Sequence, residues 1–284
     1  MVAERQLQFR GHTIGKNSDF KIISMTGLEV PRIRSTDLNA IGNGQHAGLD
    51  AYDGRTVTIA GYLREYDDAD MSTKRHDLAT AWLIGGGTEE EPLTFQIPGI
   101  AGGGRRRIYC RPRGDALTID RGFTLGTARD VFQLHATDPR IYDDVESQAS
   151  VLLASGAGGL TWPLTWPLDW GSTRLGLKSV INDGNAAAGA RFTMYGPVTN
   201  PRVENITTGQ TIELSLQIAA GEFVEVNTAL GVVLLNGTAS RFSALTVGSE
   251  LFLLQPGVNE IRYAANASGI GSSLGIGFRS AWFT

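Results

Sequence analysis

The chain has one cysteine in 284 residues, Cys110, which excludes an internal disulfide framework. It lies in the run Ile108-Tyr109-Cys110, where a free Cys serves as a small buried hydrophobe. Basic residues are outnumbered, 25 Lys and Arg against 29 Asp and Glu, for a formal charge of −4. Nucleic-acid affinity is largely phosphate neutralisation by Lys and Arg, so this balance argues against binding DNA or RNA. No apolar run reaches the ~18–20 residues of a membrane span. Met1 to Phe9 carries charge without an apolar stretch, so no secretory leader is expected, and synthesis in a cytoplasm is. The triplets beginning at Asn205, Asn236 and Asn266 then read as turn and strand composition.

Catalytic signatures are also missing. The sequence holds no G-x-S-x-G elbow, no P-loop and no H-E-x-x-H. Its four histidines, His12, His46, His76 and His135, do not pair at a metal-ligand spacing. Asp67, Asp68 and Asp70 cluster, but without the Gly and distal Glu of a calcium loop, and acidic residues suit a helix N-terminus by its dipole alone. Gly269 to Gly277 misses the dinucleotide spacing. A glycosidase needs only two carboxylates, and no particular pair stands out. The expectation is a non-enzyme with no catalytic, cofactor or metal site.

Glycine is abundant, with 36 residues, while continuous helix-forming tracts are scarce, which points to many strands and turns. Leu7 to Phe9, Phe20 to Met25, Arg55 to Tyr66, Leu93 to Ile97 and Arg129 to Ala136 read as strands. In the third of these, Val57, Ile59 and Leu63 share a face. One helix is expected, with Asp70 as N-cap, Leu78 and Trp82 on one side, and Gly85-Gly86-Gly87 ending it. Ile41 to Asp53 has no periodicity and reads as a long loop or an arm reaching a neighbour. The basic triplet Arg105-Arg106-Arg107 has two readings: contact with an acidic neighbouring subunit, or a solvated strand start that blunts a sheet edge.

After the polar stretch Asp143 to Gln148 and the glycines of 156–159 comes a four-residue repeat, Leu160-Thr161-Trp162-Pro163, Leu164-Thr165-Trp166-Pro167, then Leu168-Asp169-Trp170. Proline disfavours helix at itself and at the preceding residue, so the segment reads as extended. Its tryptophans, Trp162, Trp166 and Trp170, either stack on sugar rings or pin the segment to a protein surface, and packing is the commoner use of aromatics. Beyond it the pattern is that of a sandwich. Thr211 to Ile218 alternates without a break. Leu230 to Leu235 runs into Asn236-Gly237, a strong hairpin signal. Gln255-Pro256-Gly257 turns the chain, and Leu274, Ile276 and Phe278 share a face. Three segments follow: 1–145, a β-domain; 146–173, a Gly-rich and Trp-Pro linker; and 174–284, a β-sandwich.

Several segments together resemble the distal tail proteins of long-tailed, non-contractile phages. They are Gly27-Leu28-Glu29-Val30-Pro31-Arg32-Ile33-Arg34; Gly48-Leu49-Asp50 with Gly54-Arg55-Thr56-Val57; Leu134 to Tyr142; and the Trp-Pro repeat. In the second half, Asn200 to Asn205, Gly221-Glu222, Val226-Asn227-Thr228, Asn236-Gly237 and Leu254 to Ile261 are similar to that family's galectin-like domain. Position 227 departs, with Asn where the family pattern has Asp. The resemblance implies a mainly β protein: an N-terminal ring-forming β-domain with one helix, and a C-terminal galectin-like, jelly-roll β-sandwich. It implies a homo-hexameric ring at the virion tail tip, assembled in the host cytoplasm. The ring would contact the tail tube protein, the tail-tip protein and a receptor-binding protein or host glycan. DNA would pass through without being bound, and no membrane would be involved. Arg105, Arg106, Arg107 and the three repeat tryptophans become candidates for contacts between subunits or domains. Tyr195, Phe223 and Trp282 are candidates for sugar contact should the sandwich bind carbohydrate. Six chains carry about −24 formal charge (six times −4), and an acidic lumen would let DNA slide.

Overall fold

A computed structural model describes residues 5–29, 32–38, 45–83, 89–153 and 176–284, with backbone only for 32–38 and 45–51. The chain divides into two units. Residues 1–144 and 282–284 form the first, and Val145–Ala281 the second. The chain therefore leaves the first unit once and its last three residues return to it.

The first unit is built on an antiparallel sheet. Its strands run in the order His12–Gly15, Gln6–Phe9, Glu91–Gln96, Arg105–Thr118, Thr127–Ala136, Arg55–Arg64 and Phe20–Thr26. Alternation explains the core: Val57, Ile59 and Leu63 are buried, as are Phe132 and Leu134 opposite them. Gly61 holds another inward position of Arg55–Arg64, where a Cβ would lie 2.3 Å from the Phe20 ring. That glycine is what lets Phe20 and Phe132 pack at 5.5 Å.

The helix covers Asp68–Ala81, and its N-cap is Asp67, whose carboxylate accepts from the amides of Ala69 and Asp70. Asp70 sits in the first turn and is not the cap: the side chain must precede the helix to reach its free N–H groups. The helix ends at Trp82, before the glycines expected to stop it. Leu78 and Trp82 are buried, and Trp82 stacks on Phe132 at 4.5 Å and on Phe9 at 5.2 Å. The segment expected to be a loop from Ile41 holds a strand instead. Gln45–Tyr52 pairs with Arg32–Leu38 in a two-stranded sheet of its own. The sequence from Ile41 to Asp53 shows no apolar alternation, so periodicity does not mark this strand.

In the second unit a six-stranded sheet, ordered Ser147–Leu152, Ser273–Phe278, Ala190–Tyr195, Phe223–Asn227, Val232–Leu235 and Ala239–Ser240, accompanies a five-stranded one. The latter runs Leu177–Asn182, Gly257–Ser268, Val198–Asn205 and Gln210–Glu213, with Gln217–Ile218 also on Val198–Asn205. The core takes Phe192, Leu274 and Ile276 from the first sheet and Val203, Ile212 and Tyr263 from the second. Ser147–Leu152, within the stretch read as linker, is thus an edge strand of the sandwich.

The Thr211 to Ile218 alternation survives in burial but not as one strand. Asn200 takes φ 49° and Pro201 offers no N–H, and here three residues, 214–216, stand opposite two, 200–201. The segment breaks into Gln210–Glu213 and Gln217–Ile218, joined by Leu214 N–H to Pro201 O at 3.0 Å. The strand expected from Leu230 begins at Val232, because Gly231 turns at φ 66°. Asn236 and Gly237 both have positive φ, 50° and 73°, and Thr238 N–H donates to Leu235 O at 3.2 Å, closing a tight turn between the paired Leu235 and Ala239.

Candidate functional site

The basic triplet opens the strand Arg105–Thr118, so its side chains alternate between faces. Arg105 and Arg107 point to one side and both meet Asp144. Arg105 Nη2 lies 2.6 Å from Oδ2, and Arg107 donates from Nε to Oδ1 at 3.0 Å and from Nη2 to the backbone carbonyl at 2.9 Å. Burial pulls the Arg107 pKa down, but its hydrogen bond to Asp144 and other contacts outweigh this and raise it. Arg106 points the other way. It pairs with Asp143, donates to Ala101 O at 2.7 Å, and lies 4.7 Å from the Trp282 ring centre. Trp282 in turn donates from Nε1 to Asp143 Oδ1 at 3.2 Å. The triplet therefore fastens the first unit's last residues before the chain leaves, 143–144, and the tryptophan with which it returns. Asp143-Asp144 carries no sequence pattern of its own that marks it as the partner of the arginines.

A second cluster gathers segments that looked unrelated. Arg55 is 1% exposed. It donates from Nη1 to Leu28 O at 2.7 Å and from Nη2 to Phe283 O at 2.9 Å. Burial lowers its pKa to about 10, while Glu29 and Asp138 act in the opposite direction. Nearby, Asp138 accepts from Arg140 and, at 2.5 Å, from the Tyr142 hydroxyl. Burial pushes the Asp138 carboxyl up, yet the Arg140 and Tyr142 hydrogen bonds prevail and hold it below its ordinary value. Phe283 stacks on Tyr52 at 4.3 Å. Gly27 makes the approach possible. Its φ is 89°, and a Cβ would lie 1.8 Å from Thr56 O. A parity signal for Arg55 was present: it shares the inward face of Val57, Ile59 and Leu63.

The second unit is stitched by neutral amides. Asn259, fully buried, accepts from Gln255 N–H at 3.0 Å and donates to Gln255 O and Gly257 O. Asn205 donates to Asn259 Oδ1 at 3.1 Å. Asn182 donates to Ala186 O and Leu254 O and accepts from Gly184 and Ala281.

Of the sugar-contact candidates, Tyr195 and Phe223 are neighbours, ring centres 6.1 Å apart, on paired strands, while Trp282 belongs to the first unit. Trp162, Trp166 and Trp170 lie outside the described residues. The Cys110 thiol is buried, and desolvation pushes it up to about 12, as befits a packing residue. Among the described residues, no group of three or more His, Cys, Asp or Glu is placed to hold a metal ion.

Residues 183–282 match the model of the siphovirus-type tail component, C-terminal domain. That match covers about a third of the chain, all but its last residue within the second unit. Over its whole length the chain has the fold of the Dit (gp 19.1) protein of phage SPP1, described as a paradigm of the hub adsorption apparatus in phages infecting Gram-positive hosts. The TM-score is 0.68 at 12% identity, covering 97% of this chain and 98% of that one. A chain of the phage P2 baseplate, in its activated conformation with calcium, matches at TM-score 0.54 and 9% identity, covering 96% and 97%. The strontium form of that baseplate gives 0.53 and 10%, covering 96% of each chain. No curated protein sequence matches. The mainly β architecture and the resemblance to distal tail proteins thus rest on independent comparisons of sequence and fold.

Proposed function

We propose that this chain is a structural hub at the distal end of a siphophage tail tube. Six copies form a ring through the first unit, and the second unit decorates its rim. The ring joins the tail tube protein to the tail-tip protein and the host-adhesion apparatus, assembles in the host cytoplasm and does no chemistry. The observation that carries this reading is the tail-component domain at 183–282 within a chain whose whole fold follows a hub protein. The three parts read from sequence fit it: a ring-forming domain near 1–145, the Trp-Pro linker and the sandwich. The hairpin of Arg32–Leu38 and Gln45–Tyr52, in a sheet of its own, is the arm that reaches the neighbouring copy. Arg105, Arg106 and Arg107 act from within, fixing the chain where it leaves and re-enters the first unit. Trp162, Trp166 and Trp170 anchor the linker. Six chains carry about −24 formal charge (six times −4), which suits passage of DNA without adhesion; a strongly basic lumen would contradict this.

The solution mass tests the ring. About 180 kDa, six chains of 30.4 kDa, is expected for the purified protein or its mixture with tail tube protein. A monomer in both conditions would overturn it. A second reading, contact with a host-surface carbohydrate, is favoured by one observation: Tyr195 is 44% exposed beside Phe223 on the sandwich.

A further inference from the structure

The outer face of the six-stranded sheet carries a trough whose floor is glycine. On the strand Ser273–Phe278, the inward positions Leu274, Ile276 and Phe278 are buried in the core, so Gly275 and Gly277 face outward. Their flanks follow from register. Gly277 lies between Gln148 and Arg191, and Gly275 between Ser150 and Thr193. With no side chain on the middle strand, the outer strands wall a groove of about 140 Å³.

Each glycine has a different group beside it. At Gly277 a Cβ would lie 2.8 Å from Glu146 Oε1 and 3.3 Å from Arg191 Nη2. These two side chains form an ion pair, with Nη2 at 3.0 and 3.2 Å from the two carboxylate oxygens. At Gly275 a Cβ would lie 3.6 Å from Tyr195 Cε2, and the Tyr195 ring is backed by Phe223. The two outward positions are about 7 Å apart along a strand, so the aromatic ring and the ion pair stand roughly one sugar ring apart.

The chemistry of this arrangement is selective. Arg191 and Glu146 cancel in charge, so the groove attracts neither an anion nor a cation. A guanidinium carries five N–H donors and a carboxylate about four acceptor sites, and the contact between them uses one nitrogen. Donor and acceptor capacity thus remain side by side, the requirement of a vicinal diol. Tyr195, 44% exposed, supplies the aromatic surface that the C–H groups of a pyranose stack on. We propose that this groove binds a neutral saccharide: Tyr195 stacks on one ring, and Arg191 with Glu146 holds its hydroxyls. The proposal rests on the carbohydrate reading above and names its site, independently of the ring.

Saturation-transfer NMR on the full-length protein tests it, with cellotetraose, chitotetraose and lactose as separate probes. The wild type is expected to transfer saturation to at least one of them. Tyr195→Ala is expected to weaken that binding about tenfold, as loss of a central aromatic contact does. Gly275→Val fills the trough. Its Cβ meets neighbours only at ordinary contact distances, 3.6 to 3.8 Å, so the sheet is retained, which near-UV circular dichroism checks; Gly275→Ala serves as the milder filling variant. Phe242→Ala, at an aromatic exposed elsewhere on the second unit, is expected to bind as the wild type does. A wild type that binds a probe, with Gly275→Val and Tyr195→Ala binding equally well, would overturn the groove but leave a carbohydrate role standing. Binding of none of the probes by the wild type would overturn both.

Discussion

The two units bury polar groups of opposite kinds. In the first, the buried charged residues are Arg55, Asp130 and Asp144; in the second, the buried polar residues are Asn182, Asn205, Asn259, Thr228, Ser272 and Ser280. Both sets tie loops and termini to strands. A buried charge is tolerable only when paired and hydrogen-bonded, and removing one partner is costly. A buried amide has no charge to desolvate, but it needs its hydrogen bonds filled. Among the described residues, the buried charged contacts of the first unit therefore respond to pH, and the buried amide contacts of the second do not titrate. The ion pairs of the second unit, such as Arg191 with Glu146, are partly exposed, whereas the first unit buries charge.

The comparison breaks most easily at Arg55. Arg55→Met strands the carbonyls of Leu28 and Phe283, and should cost about 3–5 kcal/mol by the loss of a charged, buried hydrogen-bonding group. Hydrogen exchange followed by mass spectrometry should show faster exchange throughout the first unit and none in 183–280. Asn259→Ala is the reciprocal test. It unties the 255–257 turn and leaves Asn205 without that acceptor, costing about 2–3 kcal/mol, with faster exchange confined to the second unit. If either variant loosened both units alike, the division of roles would fail.

Trp282→Ala should act more weakly, about 1–2 kcal/mol, through the lost cation–π contact with Arg106 and the hydrogen bond to Asp143. Limited proteolysis should then release the C-terminal residues first. The smallest effect is pH dependence. Asp138 has its folded pKa held below the ordinary value, so its contribution is present above the unfolded carboxylate pKa of about 3.9 and is lost as pH falls through the folded value. Asp130, raised by burial despite Arg75, runs the other way: its contribution is present below the unfolded value and lost as pH rises through the folded one. Asp138→Asn should therefore reduce the loss of first-unit stability on acidification, and Asp130→Asn should reduce the loss on raising the pH from acid to neutral. Neither should change the exchange of the second unit.

Much of the fold was legible because alternation carries it. Val57, Ile59 and Leu63, or Leu274, Ile276 and Phe278, announce which face is inside. The pairing of Gln45–Tyr52 with Arg32–Leu38 was not legible, since neither strand shows apolar alternation. Asp67 was passed over for Asp70 because both are good caps and only the chain's entry angle decides between them. The fastening residues were legible in part. Arg55, Asn205 and Asn259 sit at inward parity on their strands, which marks them as buried polar groups, but their partners are backbone carbonyls and amides with no sequence signature. The groove on the sandwich follows from Gly275 and Gly277 at outward parity. What stands beside them, Glu146 and Arg191, comes from segments far apart in the chain.

The central claim is a structural place in the virion, and imaging tests it most directly. Tails purified from particles carrying an epitope-tagged copy of this chain would be reconstructed by electron cryomicroscopy. The account predicts six copies in a closed ring at the distal end of the tail tube, with the tagged sandwich at the rim. Absence of the chain from the tail, or its location at the head or along the tube, would contradict it.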